Sequence, residues 1–164
     1  MKLRSNILSF TLLALVTSAT FAADSAPAGE KSAPNPGKQA IAVRKAAFTL
    51  IGASFKPLGD VAKGTTEYNQ ADAEKRAKRI VMLGEFLDGA FPESSNLGEP
   101  DTKAKAEVWT QRADFDKRLK EFKEHAAILV QVTAKEKSTS DAVKEAIGAV
   151  AKDCKGCHDI FKPK

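Results

Sequence analysis

The chain has 164 residues, with 26 Lys and Arg against 21 Asp and Glu, for a formal net charge of +5. That excess is too mild for a nucleic-acid binder, and no basic patch is studded with aromatic residues. Cations and anions interleave along helical stretches, the pattern of solvated faces.

The opening "MKLRSNILSFTLLALVTSATFAAD" has the layout of a secretory signal peptide over residues 1–22. Lys2 and Arg4 form a positive start, Ile7 to Val16 is mostly apolar, and Thr20-Phe21-Ala22 offers small residues for cleavage before Ala23. The apolar run is short of the roughly 20 residues of a membrane span, so an exported chain without a stable membrane anchor is expected. Removing 1–22 takes Lys2 and Arg4 and no acid, which lowers the net charge from +5 to +3. Residues 23–38, "ADSAPAGEKSAPNPGK", read as a flexible leader rich in Ala, Pro, Ser and Gly. The remainder suits one domain with one core.

From Gln39 onward the periodicity is helical, and nothing reads as a strand. A first helix is predicted over 39–63, with a stripe of Ile41, Arg44, Phe48, Ile51, Phe55, Leu58 and Ala62. Pro57 is expected to kink it near Ser54. A second helix is predicted over 69–90, capped by Asn69, with Ala73, Ala77, Ile80, Gly84 and Leu87 on one face. After the loop "FPESSNLGEPDT", a third helix is predicted over 103–135 with Val108, Arg112, Phe115, Leu119, Phe122, Ala126 and Leu129 as its stripe. Ser138 and Asp141 resemble a capping box opening a fourth helix over 139–162. The fold class is therefore all-α, an antiparallel four-helix bundle spanning 39–164.

Two features stand out from this pattern. Arg44 lies on a stripe whose neighbours are Ile, Phe and Leu, where a charge is costly unless paired. It either snorkels to water along its own stem or meets an anionic partner lodged between the helices. The second feature is "DCKGCHDIFK", which holds both cysteines of the chain and one of its two histidines. The last stripe runs Val143, Ile147, Val150, Cys154, Cys157, Phe161, so both thiols are predicted on the inward face, with His158 one turn beyond Cys154.

Three chemistries fit that spacing. A redox disulfide is compatible with export, though such pairs usually open a helix after a strand. Zinc needs about four ligands, and the chain supplies only Cys154, Cys157, His158 and a distant His125. Covalent haem attachment has C-x-x-C-H as its local pattern, with two thioethers fixing the porphyrin and the adjacent imidazole placed to bind iron. Haem is preferred, because the motif takes every cysteine of an exported chain and sits on a core face.

With "VRKAAFTLIGASFKPLGDVAKG", "KGTTEY", "AKAEVW" and "CKGCHDIFK" together, the chain resembles the cytochromes c′, class II c-type cytochromes with CxxCH near the C-terminus. The resemblance covers residues 39–164 and implies a four-helix bundle with one haem c held through Cys154 and Cys157. It also implies His158 as axial iron ligand, a periplasmic location, and a homodimer through the first two helices. Low-spin members of the family place a methionine four residues after the arginine matched by Arg44, and this chain has Phe48 there. The resemblance thus implies the high-spin branch with five-coordinate iron. It pairs Arg44 with a haem propionate and puts Lys45 near the propionates, with Thr102 and Lys103 as weaker candidates. Trp109 matches the family's tryptophan and Lys162 a basic position often filled by arginine. Met82 and His125 are the other residues able to ligate iron, and both read more simply as packing and boundary residues.

Phe48, with Ile51 and Phe55 on its stripe, is expected to form a dry distal wall without a hydrogen-bond donor. Bound oxygen gains from a distal donor, so the preferred ligand is nitric oxide, with carbon monoxide disfavoured by the bulky ring. The expected function is gas binding in the periplasm. A periplasmic electron carrier with a redox partner is the alternative. An enzyme is not expected, since a distal acid or base is wanting.

Overall fold

The computed structural model describes residues 35–163. The expected signal peptide and residues 23–34 of the expected leader lie outside the described residues. Residues 36–38 belong to a helix and not to a leader: α1 spans Pro36–Ala62. Pro36 sits where its missing N–H costs nothing, and Asn35 caps the turn by accepting from the Lys38 amide at 3.1 Å. α1 runs on through Pro57. It ends where Gly64 takes φ +73, a left-handed conformation that suits glycine at a helix C-terminus.

α2 spans Gln70–Glu85, with Asn69 as its cap and Ala73, Ala77, Ile80, Leu83 and Gly84 buried. It is shorter than the sequence pattern, because the amides of residues 86–88 bond three residues back in a turn and Gly89 adopts φ +70. A short 3-10 turn, Glu93–Ser95, follows. Gly37 faces it so closely that an added Cβ would lie 2.0 Å from the Ser94 carbonyl oxygen.

The single third helix expected over 103–135 is two: α3, Glu107–Thr110, and α4, Arg112–Lys135. Residues 103–106 are not helical, because the Lys105 amide donates to the carbonyl of Phe161 at 2.9 Å and ties the segment to the end of the last helix. Gln111, at φ −116 and ψ 42, separates α3 from α4. α5 spans Asp141–Phe161, and its cap is Ser140, whose hydroxyl accepts from the Val143 amide at 3.3 Å. Ser138 and Asp141 do not form the expected box; the serine next to the helix takes the role.

α1 packs on α2 and α5, and α4 packs on the same two, so the four long helices close into a bundle. Its core joins Ile51 and Leu58 of α1, Ile80 of α2, Leu129 of α4 and Ile147 of α5. Alanines at 73, 77 and 126 are almost wholly buried and let the backbones approach. A second cluster, Ala90, Phe91, Val108, Phe115 and Phe161, lies where the 86–111 connection meets the start of α4 and the end of α5. No strand occurs among the described residues, and no helix among them is long and apolar enough to cross a membrane.

Candidate functional site

Beside the second cluster lies a cavity of about 450 Å3, lined by α1, the 99–104 segment and the end of α5. That volume lies in the range of roughly 300–1,000 Å3 typical of sites for small molecules and cofactors. Cys157 and His158 line it from α5, and Phe48 lines it from α1. The rings of Phe48 and His158 approach edge-on, with centroids 6.3 Å apart. Phe91, Phe115, Phe161 and Val108 supply an apolar floor. Phe91 and Phe161 each stack edge-on against Phe115, at 4.7 and 5.3 Å.

The distal wall differs from the expected one. Ile51 and Phe55 belong to the main core and do not line the cavity. A helical turn carries Phe55 two turns along the bundle from Phe48, and Ile51 points inward at 5 % exposure. Phe48, Phe91 and Thr49 take their place. The Thr49 hydroxyl is not turned to the cavity as a donor; it donates to the Lys45 carbonyl at 2.9 Å.

Cys154 and Cys157 are free thiols, both half-buried. Cys154 packs against the main core and Cys157 against the second cluster, so the motif bridges the two. Burial pushes the Cys157 thiol up to about 11, against the opposing charge of Arg118. Burial, aided by Asp153, raises Cys154 too. Burial, aided by the Lys162 charge, lowers His158, which favours the neutral imidazole that can ligate a metal. Among the described residues no three His, Cys, Asp or Glu side chains gather as a metal site, so the zinc reading lacks a ligand set. Two thiols three residues apart, an imidazole on the next residue and an aromatic slot beside them fit a covalently attached haem.

Arg44 does not snorkel: it is 2 % exposed. Its Nη1 donates to the Ala90 carbonyl at 3.0 Å and to Ser95 Oγ at 2.7 Å. Its Nη2 donates to the Ser95 carbonyl at 3.2 Å and to Thr102 Oγ1 at 2.8 Å. The guanidinium also lies 4.8 Å from the Phe91 ring centroid. Arg44 lines the cavity, yet these four bonds hold the 90–102 connection against α1. Ser95 and Thr102, both buried, were invisible as its partners in the sequence, because they lie about 50 residues away in an irregular loop.

Lys45, Thr102, Lys103 and Lys162 all line the same cavity. Trp109 does not; its indole N–H donates to the carbonyls of Phe91 and Pro92 at 3.2 and 3.1 Å and braces the loop. The two remaining possible iron ligands point elsewhere. Met82 is 56 % exposed on α2, and His125 Nδ1 is 2.7 Å from Asp153 Oδ2. Sequence reasoning also overlooked Arg118, which ion-pairs with Asp114 and would meet a side chain added at Gly156 at 3.2 Å. A side chain between the two cysteines would press on the tip of Arg118 of α4, which would have to shift by a few tenths of an ångström.

Residues 39–162 match the family model described as Cytochrome C′. A cytochrome c′ of Halomonas halodenitrificans is 31% identical over 128 residues, covering 76% of this chain and 96% of that protein. The structure of cytochrome c prime from Shewanella frigidimarina is similar with a TM-score of 0.71 at 35% identity, covering 78% of this chain and 97% of that one. A nitric oxide complex of a mutant cytochrome c prime from Alcaligenes xylosoxidans is similar with a TM-score of 0.68 at 26% identity, covering 78% of this chain and 97% of that one.

Proposed function

The chain belongs to the cytochrome c′ family, and from that premise we propose that it binds small gases at a five-coordinate haem, nitric oxide foremost. Its cofactor is haem c, which the family carries covalently; Cys154 and Cys157 are the two cysteines available to hold it. When bound, the haem supplies an iron with one axial position for the His158 imidazole and one open to a diatomic ligand.

One observation carries the reading: the ring that meets His158 across the cavity is Phe48, which cannot ligate iron. Met82 and His125 are directed away from the cavity. Phe48 and Phe91 present no donor, and Thr49 spends its hydroxyl on the helix backbone. Such a wall disfavours oxygen, which gains from a distal hydrogen bond. The nitric oxide complex of the Alcaligenes xylosoxidans relative supports gas binding by this architecture. A periplasmic location is proposed from the signal-like segment 1–22. A homodimer is proposed from Val43 and Leu50 on α1, Met82 on α2 and Phe86 just past its end, all exposed. Catalysis is not proposed, since the cavity's one carboxylate, Glu99, lies on the 99–104 segment and not on the helix that carries Phe48.

The test is an absorption spectrum of the haem-loaded protein, ferric and ferrous, with and without nitric oxide. High-spin spectra that respond to nitric oxide are expected. Low-spin spectra in both states, unmoved by the gas, overturn the reading and favour the electron carrier.

A further inference from the structure

Among the described residues, many surface charges are neutralised locally. Lys56 pairs with Asp60, Arg76 with Asp72, Lys78 with Glu74, Arg118 with Asp114 and Lys155 with Asp159, each a single helical turn apart. Exposed cations without an ion pair among the described residues also stand at Lys63, Lys75, Arg79, Lys135, Lys137 and Lys152, but at the mouth of the haem cavity three such cations come together from separate segments. Lys45 from α1, Lys103 from the segment before α3 and Lys162 from the end of α5 converge on it. All three are exposed, and none makes an ion pair with a carboxylate among the described residues. Glu99 is the one acid in the lining. Arg44, the fourth cation there, is buried and turned into the loop, so it offers no charge at the surface.

Three cations brought together from three separate segments cannot arise from the pattern of one helix. The two carboxylates of a bound haem would offset part of that charge, but three lysines exceed two propionates, and a ferric iron adds positive charge of its own. We propose that the cavity mouth, ringed by Lys45, Lys103 and Lys162, is the docking face for an acidic one-electron donor protein. The inference rests on the reading that haem occupies this cavity. It gives that reading a missing reactant, since tight nitric oxide binding requires reduced iron. One electron leaves the donor and one enters the haem, with no bond formed or broken. A positive rim steers an acidic partner to the edge nearest the cofactor and raises its encounter rate.

Two haem-loaded variants test this. One carries Lys45→Glu, Lys103→Glu and Lys162→Glu. The control carries Lys63→Glu, Lys135→Glu and Lys137→Glu, which changes net charge equally at the turns where Tyr68 meets Glu136, away from the cavity. The reduced proteins are oxidised by anionic hexacyanoferrate(III) and by cationic tris(phenanthroline)cobalt(III) over a range of salt. For the wild type and the control, the hexacyanoferrate rate is expected to fall by about tenfold between low and physiological salt. For the mouth variant that dependence should invert. Separately, a short poly-glutamate peptide is titrated and followed by amide NMR shifts, a readout independent of electron transfer. Shifts are expected at 45, 99–104 and 158–163 in the wild type and not in the mouth variant. Equal behaviour of the two variants, or shifts scattered over the bundle, overturns the docking face. A wild type without covalent haem sinks instead the reading on which the inference rests, and the peptide titration still decides the docking.

Discussion

The two ends of the hydrophobic interior are made by different means. The main core is aliphatic and helical, with Leu58, Ile80, Leu129 and Ile147 between four regular helices. The second cluster is aromatic and is held largely by an irregular connection, with Phe91 and Val108 on one side and Phe161 on the other. The first needs only helix periodicity to assemble. The second is kept in place by long-range hydrogen bonds, from Arg44 to Ser95 and Thr102, from Trp109 to Phe91 and Pro92, and from Lys105 to Phe161. A bundle core resists opening, whereas a wall of loop can leave a slot beside it. The proposed cofactor site lies at that slot, and the CxxCH motif packs against both clusters.

Breaking the motif itself should have the largest effect. Replacing Cys154 and Cys157 together by Ala should abolish covalent haem, read as the loss of haem-linked mass under denaturing conditions, while helical circular dichroism of the apo-chain persists. Phe48→Met should convert the open site into a six-coordinate one, seen as a low-spin spectrum and a weakened response to nitric oxide; an unchanged high-spin spectrum would sink the placement of Phe48 over the iron.

The main core is then tested by Leu129→Ala, which removes a side chain with no exposure. It should cost about 3–5 kcal/mol in denaturant unfolding of the whole bundle. Arg44→Met should cost less, about 2–4 kcal/mol, because buried acceptors lose their donor while a desolvated charge is also removed. The sharper readout is location: hydrogen exchange should quicken in 90–104 and hardly in α4. Uniform quickening would mean that the two regions unfold as one.

The smallest effect concerns the far turns. The Tyr68 hydroxyl donates to the Glu136 carbonyl at 2.9 Å, and Tyr68→Phe should cost about 1 kcal/mol. Burial raises the Tyr68 pKa above its ordinary value of 10. The unfolded chain therefore loses the phenolic proton first as pH rises. The contribution of Tyr68 is present below pH 10 and is lost as pH climbs through the folded value. Unfolding midpoints of wild type and Tyr68→Phe should converge there.

The bundle was legible because an amphipathic helix writes its buried face every three or four residues; Ile41, Ile51, Leu58, Ile80, Phe122 and Leu129 are buried as the pattern requires. The motif was legible because its chemistry needs two thiols and an imidazole within five residues. Where periodicity alone was used, it slipped at residues 103–106, drawn out of a helix by the Phe161 carbonyl, a partner that nothing local encodes.

By itself, the sequence determined the four long helices, most of their inward faces and the CxxCH motif, since these follow from side-chain spacing along one chain. Tertiary structure alone decided that Arg44 clamps a loop, that Phe91 completes the wall beside Phe48, and that three unpaired lysines meet at one mouth. Those outcomes join residues far apart in the chain through contacts made only after the helices have packed, and hydrogen bonds and charge act on distance in space, not on distance in sequence.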